Sequence, residues 1–127
     1  MRMLIDTNRY TDLARNDAQA VAKFLDADEI FVPFVVLAEL RSGFRNGTLS
    51  AKNELGLVKF LSNPKVRCVF PDEQTTHFYA DVYALLRSQG TPIPTNDIWI
   101  AAIAIQHSLP LYTRDHHFNK ISQLELA

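Results

Sequence analysis

The chain has 127 residues, of which 47% are hydrophobic and 21% are charged, and its formal net charge is −1. This length and composition are typical of one compact domain, so we predict a single domain spanning residues 1–127. No stretch approaches the roughly 18 consecutive apolar residues of a membrane span, and we expect a cytoplasmic protein that does not associate with membranes. The lone Cys68 excludes an intrachain disulfide and a zinc knuckle, and we expect it to be buried.

The first strand is predicted where a short apolar run ends at a carboxylate. Met3–Ile5 shows no polar alternation, as expected of a strand that is covered on both faces of a parallel sheet, and Asp6 follows it directly. The next segments are predicted, in order, as a helical turn over Tyr10–Arg15, a helix over Ala18–Leu25 capped by Asp17, and a second buried strand over Ile30–Val32.

A long apolar helix is predicted from Pro33 to about Arg45, with Gly47 as its left-handed C-terminal cap. Glu39 lies among apolar residues in this helix, and burying an unpaired carboxylate would cost several kcal/mol, so we expect it to be buried with a partner. Ser50 is predicted to cap a following helix over Ala51–Leu61, and a third strand is predicted over Val66–Phe70.

In the second half of the chain, two helices are predicted to begin at or near an aspartate, and the fourth strand repeats the pattern of an apolar run that ends near one. Asp72 is predicted to cap a helix over Glu73–Ser88 that ends at Gly90, and Asp97 opens an apolar helix with the sequence IWIAAIAI. The remaining predicted elements are a fourth strand over Leu109–Tyr112, which ends at Thr113, Arg114 and Asp115, and a short edge strand over Leu124–Leu126.

Strands that alternate with helices imply right-handed crossovers and a parallel sheet. We therefore predict an α/β fold in which four to five parallel strands lie between helices. The carboxyl ends of parallel strands meet at one edge of the sheet, so Asp6 and Asp115 are expected there. Asp97, at the start of a helix that runs antiparallel to the strands, and Glu39 are expected to face the same edge.

Each of these acids also has a local interpretation, because Asp97 could offset a helix dipole and Asp6 or Asp115 could cap a turn. Together, however, they would crowd negative charge into one crevice and raise one another's pKa values unless a cation is bound. Oxygen ligands favour Mg²⁺ or Mn²⁺. One or two such ions could activate water for phosphodiester cleavage, which would leave a 5′-phosphate.

The segments MLIDTN, AELRSG, PTNDIWIAA and LYTRDHHF resemble, in order and spacing, the acidic motifs of PIN-domain ribonucleases. Within that superfamily the short length and the motifs resemble those of the VapC and FitB toxins of type II toxin–antitoxin systems. The resemblance implies a Mg²⁺- or Mn²⁺-dependent endoribonuclease that forms homodimers and is inhibited by a cognate antitoxin. It assigns catalytic and metal-binding roles to Asp6, Glu39, Asp97 and Asp115, and supporting roles to Asn8, Asn96 and Thr113.

Basic residues are the candidates for contacts with RNA. Arg9 departs from the aliphatic or small residue that usually follows this motif, and we consider it, Arg41 and Arg45 as substrate-binding residues. The antitoxin is expected to dock beside the first helices, on the apolar run PFVVLAEL, with an Arg or Lys that reaches the carboxylates. His116 and His117 are expected to face solvent and to take no part in the chemistry.

Three alternatives to this function remain open. An aspartate-based phosphatase also places an aspartate after its first strand, but it requires a second one two residues later, where this chain has Asn8. A non-catalytic receiver-like domain requires an adjacent acidic pair and a late lysine, which the predicted strand ends lack. A PIN fold that is retained only for binding would not need the complete set of acids.

Overall fold

The structure, a computed structural model, describes residues 1–127 and has one sheet of four parallel strands. The strands are β1 (Arg2–Ile5), β2 (Glu29–Pro33), β3 (Val66–Val69) and β4 (Leu111–Tyr112). Six α-helices and one 3₁₀ helix connect or follow them: α1 (Thr7–Ala14), α2 (Ala18–Asp26), α3 (Phe34–Asn46), α4 (Ser50–Leu61), α5 (Glu73–Gln89), α6 (Thr95–Gln106) and the 3₁₀ helix His116–Lys120. The predicted α/β fold with a parallel sheet is confirmed.

The strand order in the sheet is β3-β2-β1-β4. The chain therefore adds β2 and β3 on one side of β1 and then crosses back to place β4 on the other side. The direction of winding reverses between β1 and β4, and ligands of open α/β sheets bind in the crevice at the carboxyl ends of the strands at such a point. Asp6 and Thr113, the residues that follow these two strands, lie at that point.

The core is built around β1 and α6. Successive residues of β1 point to opposite faces of the sheet, yet Met3, Leu4 and Ile5 are each at most 1% exposed, so both faces are covered. Helix α6 is buried on several sides, as its apolar sequence predicts, with Ile100 and Ile103 fully inaccessible. Each such side chain contributes about 1.5–3 kcal/mol by its removal from water.

Some predicted helix ends are confirmed and others are wrong. Gly90 closes α5 in the left-handed conformation, with a φ of 68°, as predicted. Gly47 follows α3 in an extended conformation, with a φ of −102°, so the predicted left-handed cap is wrong. Ser50 lies inside α4 and caps nothing. Helix α1 begins at Thr7, earlier than predicted, because the Asp6 side chain accepts a hydrogen bond from the Thr7 backbone N–H and caps it.

The edges of the sheet also differ from expectation. The predicted strand Leu124–Leu126 is reduced to a single parallel bridge between Leu126 and Leu111. Cys68 is exposed, contrary to the expected burial, because β3 is an edge strand. None of the helices combines the length and the apolar character that a membrane crossing requires.

A polar network around the buried Thr75 hydroxyl joins the start of α5 to the end of α6. Thr75 has no exposed surface, and its hydroxyl lies 2.6 Å from Gln106 Oε1 and accepts a hydrogen bond from the Asp72 backbone N–H at 2.9 Å. The Asp72 carboxylate accepts hydrogen bonds from the Thr75 backbone N–H at 3.1 Å and from Gln106 Nε2 at 3.0 Å. These bonds hold the amino end of α5 against α6, the helix that carries Asp97.

We expect Thr75→Val to lower the free energy of unfolding by about 1–3 kcal/mol, because valine has nearly the same shape but removes the two hydrogen bonds that the buried hydroxyl makes with Gln106 and with the Asp72 backbone N–H, each worth about 0.5–1.5 kcal/mol. The measurement is urea denaturation of variant and parent. Thr76→Val is the control, since Thr76 is exposed and donates only to a carbonyl within its own helix. A Thr75→Val variant that is as stable as the control would contradict the importance of the network.

Candidate functional site

Asp6 is the most deeply buried carboxylate at the carboxyl edge of the sheet, and it is 5% exposed. Its Oδ1 accepts the Thr7 backbone N–H at 2.8 Å, and its Oδ2 accepts the Thr113 hydroxyl at 2.6 Å. Asn8 Nδ2 donates a longer hydrogen bond of 3.3 Å to the same Oδ2. The carboxylate is therefore held in a fixed orientation by residues that follow β1 and β4.

Thr113 and Asn8 link the ends of these two strands. The Thr113 hydroxyl oxygen accepts a hydrogen bond from the Asp115 backbone N–H at 3.0 Å, and Asn8 Oδ1 accepts one from the Arg114 backbone N–H at 3.1 Å. Both residues thus position the segment after β4 relative to Asp6.

A second group of side chains, contributed by α6 and the 3₁₀ helix, consists of Asp97, Asp115 and His117. Its potential ligand atoms all lie within 4.8 Å of one another. His117 Nδ1 is 2.8 Å from Asp97 Oδ2 and 3.2 Å from Asp115 Oδ1. Two carboxylates and an imidazole nitrogen at these separations form a donor set that fits a divalent cation.

Glu39 reaches the site from α3 through Thr7, whose hydroxyl donates to Glu39 Oε1 at 2.9 Å. It is half-buried, not fully enclosed as expected, because its side chain borders an open groove of about 440 Å³ between α1, α3 and α4. The groove is also lined by Tyr10, Arg15, Gly43, Phe44 and Asn53. Glu39 therefore lies between the acidic edge and this groove.

Burial and mutual repulsion both act on the acids. Removal from water raises the pKa of Asp6, hydrogen bonds from Thr113 and the Thr7 backbone oppose this, and the charges of Asp97 and Glu39 add to it. Burial likewise raises the pKa of Asp97, while the hydrogen bond with His117 lowers it and the Asp115 charge raises it. Desolvation is thus a larger cause than the charge crowding that the sequence suggested.

The predicted basic residues lie elsewhere or are already paired. The Arg9 guanidinium contacts Asp12 at 3.3 Å and lies 4.5 Å from the Tyr112 ring centre, and its side chain is only 13% exposed, so these contacts leave little of it available to a substrate. Arg41 is engaged by Glu54 through two parallel hydrogen bonds of 3.0 and 3.1 Å. Arg45 is exposed and has no ion-pair partner.

The surroundings of Asn96 and His117 differ from those expected. Asn96 is exposed and its side chain makes no hydrogen bond, so the structure does not bring it into contact with the acids. His117, which was expected to face solvent, contacts both Asp97 and Asp115. The available signal was its position between Asp115 and the apolar Phe118, because a buried Phe118 fixes the orientation of the short helix.

Comparisons with known proteins agree with this architecture. The family model described as PIN domain matches residues 3–124. Ribonuclease VapC1 of Haemophilus influenzae is 29% identical, over 98% of this chain and 96% of its own length. Toxin FitB of Neisseria gonorrhoeae is 27% identical, over 89% and 87% respectively. The structure of VapBC-1 from nontypeable Haemophilus influenzae superposes with a TM-score of 0.84 and 27% identity, covering 100% of this chain and 97% of the other.

The raised pKa of Asp6 predicts how stability depends on pH in the presence of a chelator. Because the folded state holds this proton to higher pH than the unfolded chain, the free energy of unfolding should fall as pH rises above about 4, and level off above the folded pKa. Each unit by which the pKa is raised corresponds to about 1.4 kcal/mol. Asp6→Asn removes the titration, so the variant should gain stability relative to the parent between pH 4 and pH 8.

Thermal and urea denaturation at several pH values measure this difference. Asp81→Asn, at an exposed position of α5, controls for the loss of one negative charge. The prediction fails if the difference in the free energy of unfolding between Asp6→Asn and the parent is the same at pH 4 and pH 8, or if the variant becomes less stable than the parent as pH rises. Either result would mean that the carboxylate acts mainly as a hydrogen-bond acceptor.

Proposed function

We propose that this chain, which belongs to the PIN-domain family, is a metal-dependent endoribonuclease and the toxin of a type II toxin–antitoxin pair. The observation that carries the proposal is the meeting of Asp97, Asp115 and His117 at the edge where Asp6 is held. The end-to-end similarity to a ribonuclease, VapC1, and to a toxin, FitB, supports it. No observation favours the phosphatase or the receiver-like alternative.

Asp97, Asp115 and Asp6 are the residues that we propose to hold Mg²⁺ or Mn²⁺, with Glu39 nearby. When bound, such an ion supplies the Lewis acidity that activates water and stabilises the leaving oxygen of a phosphodiester. The chain supplies the rest. Thr113 and Asn8 fix the Asp6 carboxylate, and the Thr7 hydroxyl fixes Glu39, so these acids need little rearrangement when substrate arrives.

For the substrate, the exposed and unpaired Arg45 is the best placed of the predicted basic residues to neutralise an RNA phosphate. Arg41 would first have to give up its hydrogen bonds with Glu54. Asn96, at the exposed start of α6, is available to contact a bound strand. We further propose that the protein is a cytoplasmic homodimer.

We expect purified protein to cleave RNA with added Mg²⁺ or Mn²⁺, and to lose this activity in excess chelator. Asp97→Asn keeps the shape of the side chain but removes a charge, and should lower the cleavage rate by at least about 100-fold. The products should carry 5′-phosphate and 3′-hydroxyl ends, because hydrolysis by water breaks the bond between phosphorus and the 3′ oxygen.

Gel analysis with a 5′-labelled RNA and end-group mapping provide the measurement. Asp81→Asn is the matched control for loss of a surface carboxylate and should retain full activity. Cleavage that persists without divalent ions, or products with 2′,3′-cyclic phosphate, would be inconsistent with the proposed chemistry, since the cyclic product requires an acid–base pair acting on the 2′-hydroxyl.

The antitoxin is proposed to bind the groove between α1, α3 and α4. The apolar run predicted as its docking site is mostly unavailable, because Val35, Val36, Leu37 and Leu40 are buried in the core. Of the groove's apolar lining, Phe44 is half-buried and available for contact, whereas Tyr10 is only 6% exposed, and Glu39 is the acidic residue of the lining. An apolar antitoxin segment with one Arg or Lys directed at Glu39 would match this surface.

Gly43→Gln tests this mode, because Gly43 lines the groove and a Cβ atom added there meets no heavy atom within 4 Å beyond the backbone of its own helix, so a longer side chain would extend into the groove. The variant should bind its cognate antitoxin at least about tenfold more weakly, a loss of about 1.4 kcal/mol, while its RNA cleavage is unchanged. Gly43→Ala, which leaves the groove open, is the control. Equal antitoxin affinity of both variants, measured by titration calorimetry, would place the antitoxin elsewhere.

A further inference from the structure

His117 is the one non-carboxylate donor in the group formed with Asp97 and Asp115. Neighbouring ligand atoms around an octahedral ion, each about 2.1 Å from the metal, are separated by about 3 Å. The distances of 2.8 and 3.2 Å from His117 Nδ1 to the two carboxylate oxygens match that separation. A divalent ion bound between these three atoms would have the nitrogen as a third ligand atom of its coordination shell.

The imidazole is held there by the 3₁₀ helix. The His117 backbone N–H donates to Asp115 Oδ1 at 2.9 Å, and the next residue, Phe118, is anchored in the core with 1% exposure. The preceding residue, His116, provides an internal comparison because it is not part of this group. Its Nδ1 lies 3.4 Å from Asn119 Nδ2. The local backbone thus directs one of the two adjacent imidazoles toward the carboxylates.

We propose that His117 Nδ1 is a direct metal ligand beside Asp97 and Asp115, and that this nitrogen makes the site selective for Mn²⁺ over Mg²⁺. The proposal rests on the metal site of the proposed function and specifies its ligands. Mg²⁺ prefers oxygen donors and retains water in place of nitrogen, whereas the later first-row divalent metals bind imidazole with increasing affinity, beginning with Mn²⁺. A mixed nitrogen and oxygen donor set therefore favours Mn²⁺.

The competing arrangement keeps His117 outside the coordination shell, with its ring N–H donating to Asp97 and orienting that carboxylate toward an all-oxygen site. Both arrangements predict that His117 matters for cleavage, so activity does not separate them. A nitrogen bonded to Mn²⁺, however, has a large magnetic coupling to the electron spin, whereas a ring nitrogen that reaches the ion only through a carboxylate has a much weaker one.

The experiment uses the complete chain loaded with Mn²⁺. Pulsed electron paramagnetic resonance should detect the coupling of a directly bonded ¹⁴N in the parent and in His116→Asn, and should not detect it in His117→Asp. Calorimetric titration gives the affinities for both ions. His117→Asp restores an oxygen donor, so it should lower the ratio of Mn²⁺ to Mg²⁺ affinity by at least about tenfold, while His116→Asn should leave the ratio unchanged.

The outcomes distinguish this proposal from the function on which it rests. Absence of the directly bonded ¹⁴N signal in the parent, or its persistence in His117→Asp, would overturn the ligand assignment. The proposed metal-dependent nuclease would still be supported in that case if the parent binds Mn²⁺ and cleaves RNA and Asp97→Asn loses both properties. If no divalent ion binds to the parent and chelator does not affect cleavage, both the metal site and the ligand assignment are refuted.

Discussion

The hydrogen bond between the Thr113 hydroxyl and the Asp6 carboxylate joins positions separated by more than 100 residues of chain, and the candidate site depends on it. The bond requires β4 to lie beside β1, which the crossover from β3 produces. Once the bond is formed, Thr113 also accepts from the Asp115 backbone, so the orientation of Asp6 and the start of the 3₁₀ helix are coupled. One hydroxyl thus positions both halves of the acidic edge.

Burying carboxylates at this edge of the sheet lowers the stability of the folded chain. Asp6 is almost completely buried, and the nearby charges of Asp97 and Glu39 act against its ionisation. The buried apolar residues of β1 and α6 supply the opposing stability, since Met3–Ile5 and Ile100–Ala104 are almost inaccessible to water. A cation that binds here would replace the water that these carboxylates lose on burial. His117 already contacts two of them, Asp97 and Asp115.

The elements of the fold were largely predictable, because apolar runs and capping residues act locally. Met3–Ile5 and the helix after Asp97 were recognisable from unbroken apolar sequence, and Gly90 from its position at a helix end. The predictions were wrong where the same local sequence is compatible with more than one backbone conformation. Gly47 follows a helix without adopting a positive φ, and the fifth strand has the right residues but only one bridge.

The sequence by itself determined that Asp6, Asp97 and Asp115 would stand at the ends of apolar elements, since the period of burial fixes where a strand or helix stops. Only the tertiary structure decided which side chains meet. It paired Arg9 with Asp12 and Arg41 with Glu54, left Arg45 free, and turned His117 toward the carboxylates. These choices depend on packing between segments distant in the chain, such as the burial of Phe118, and local hydrophobic patterns carry no information about such partners.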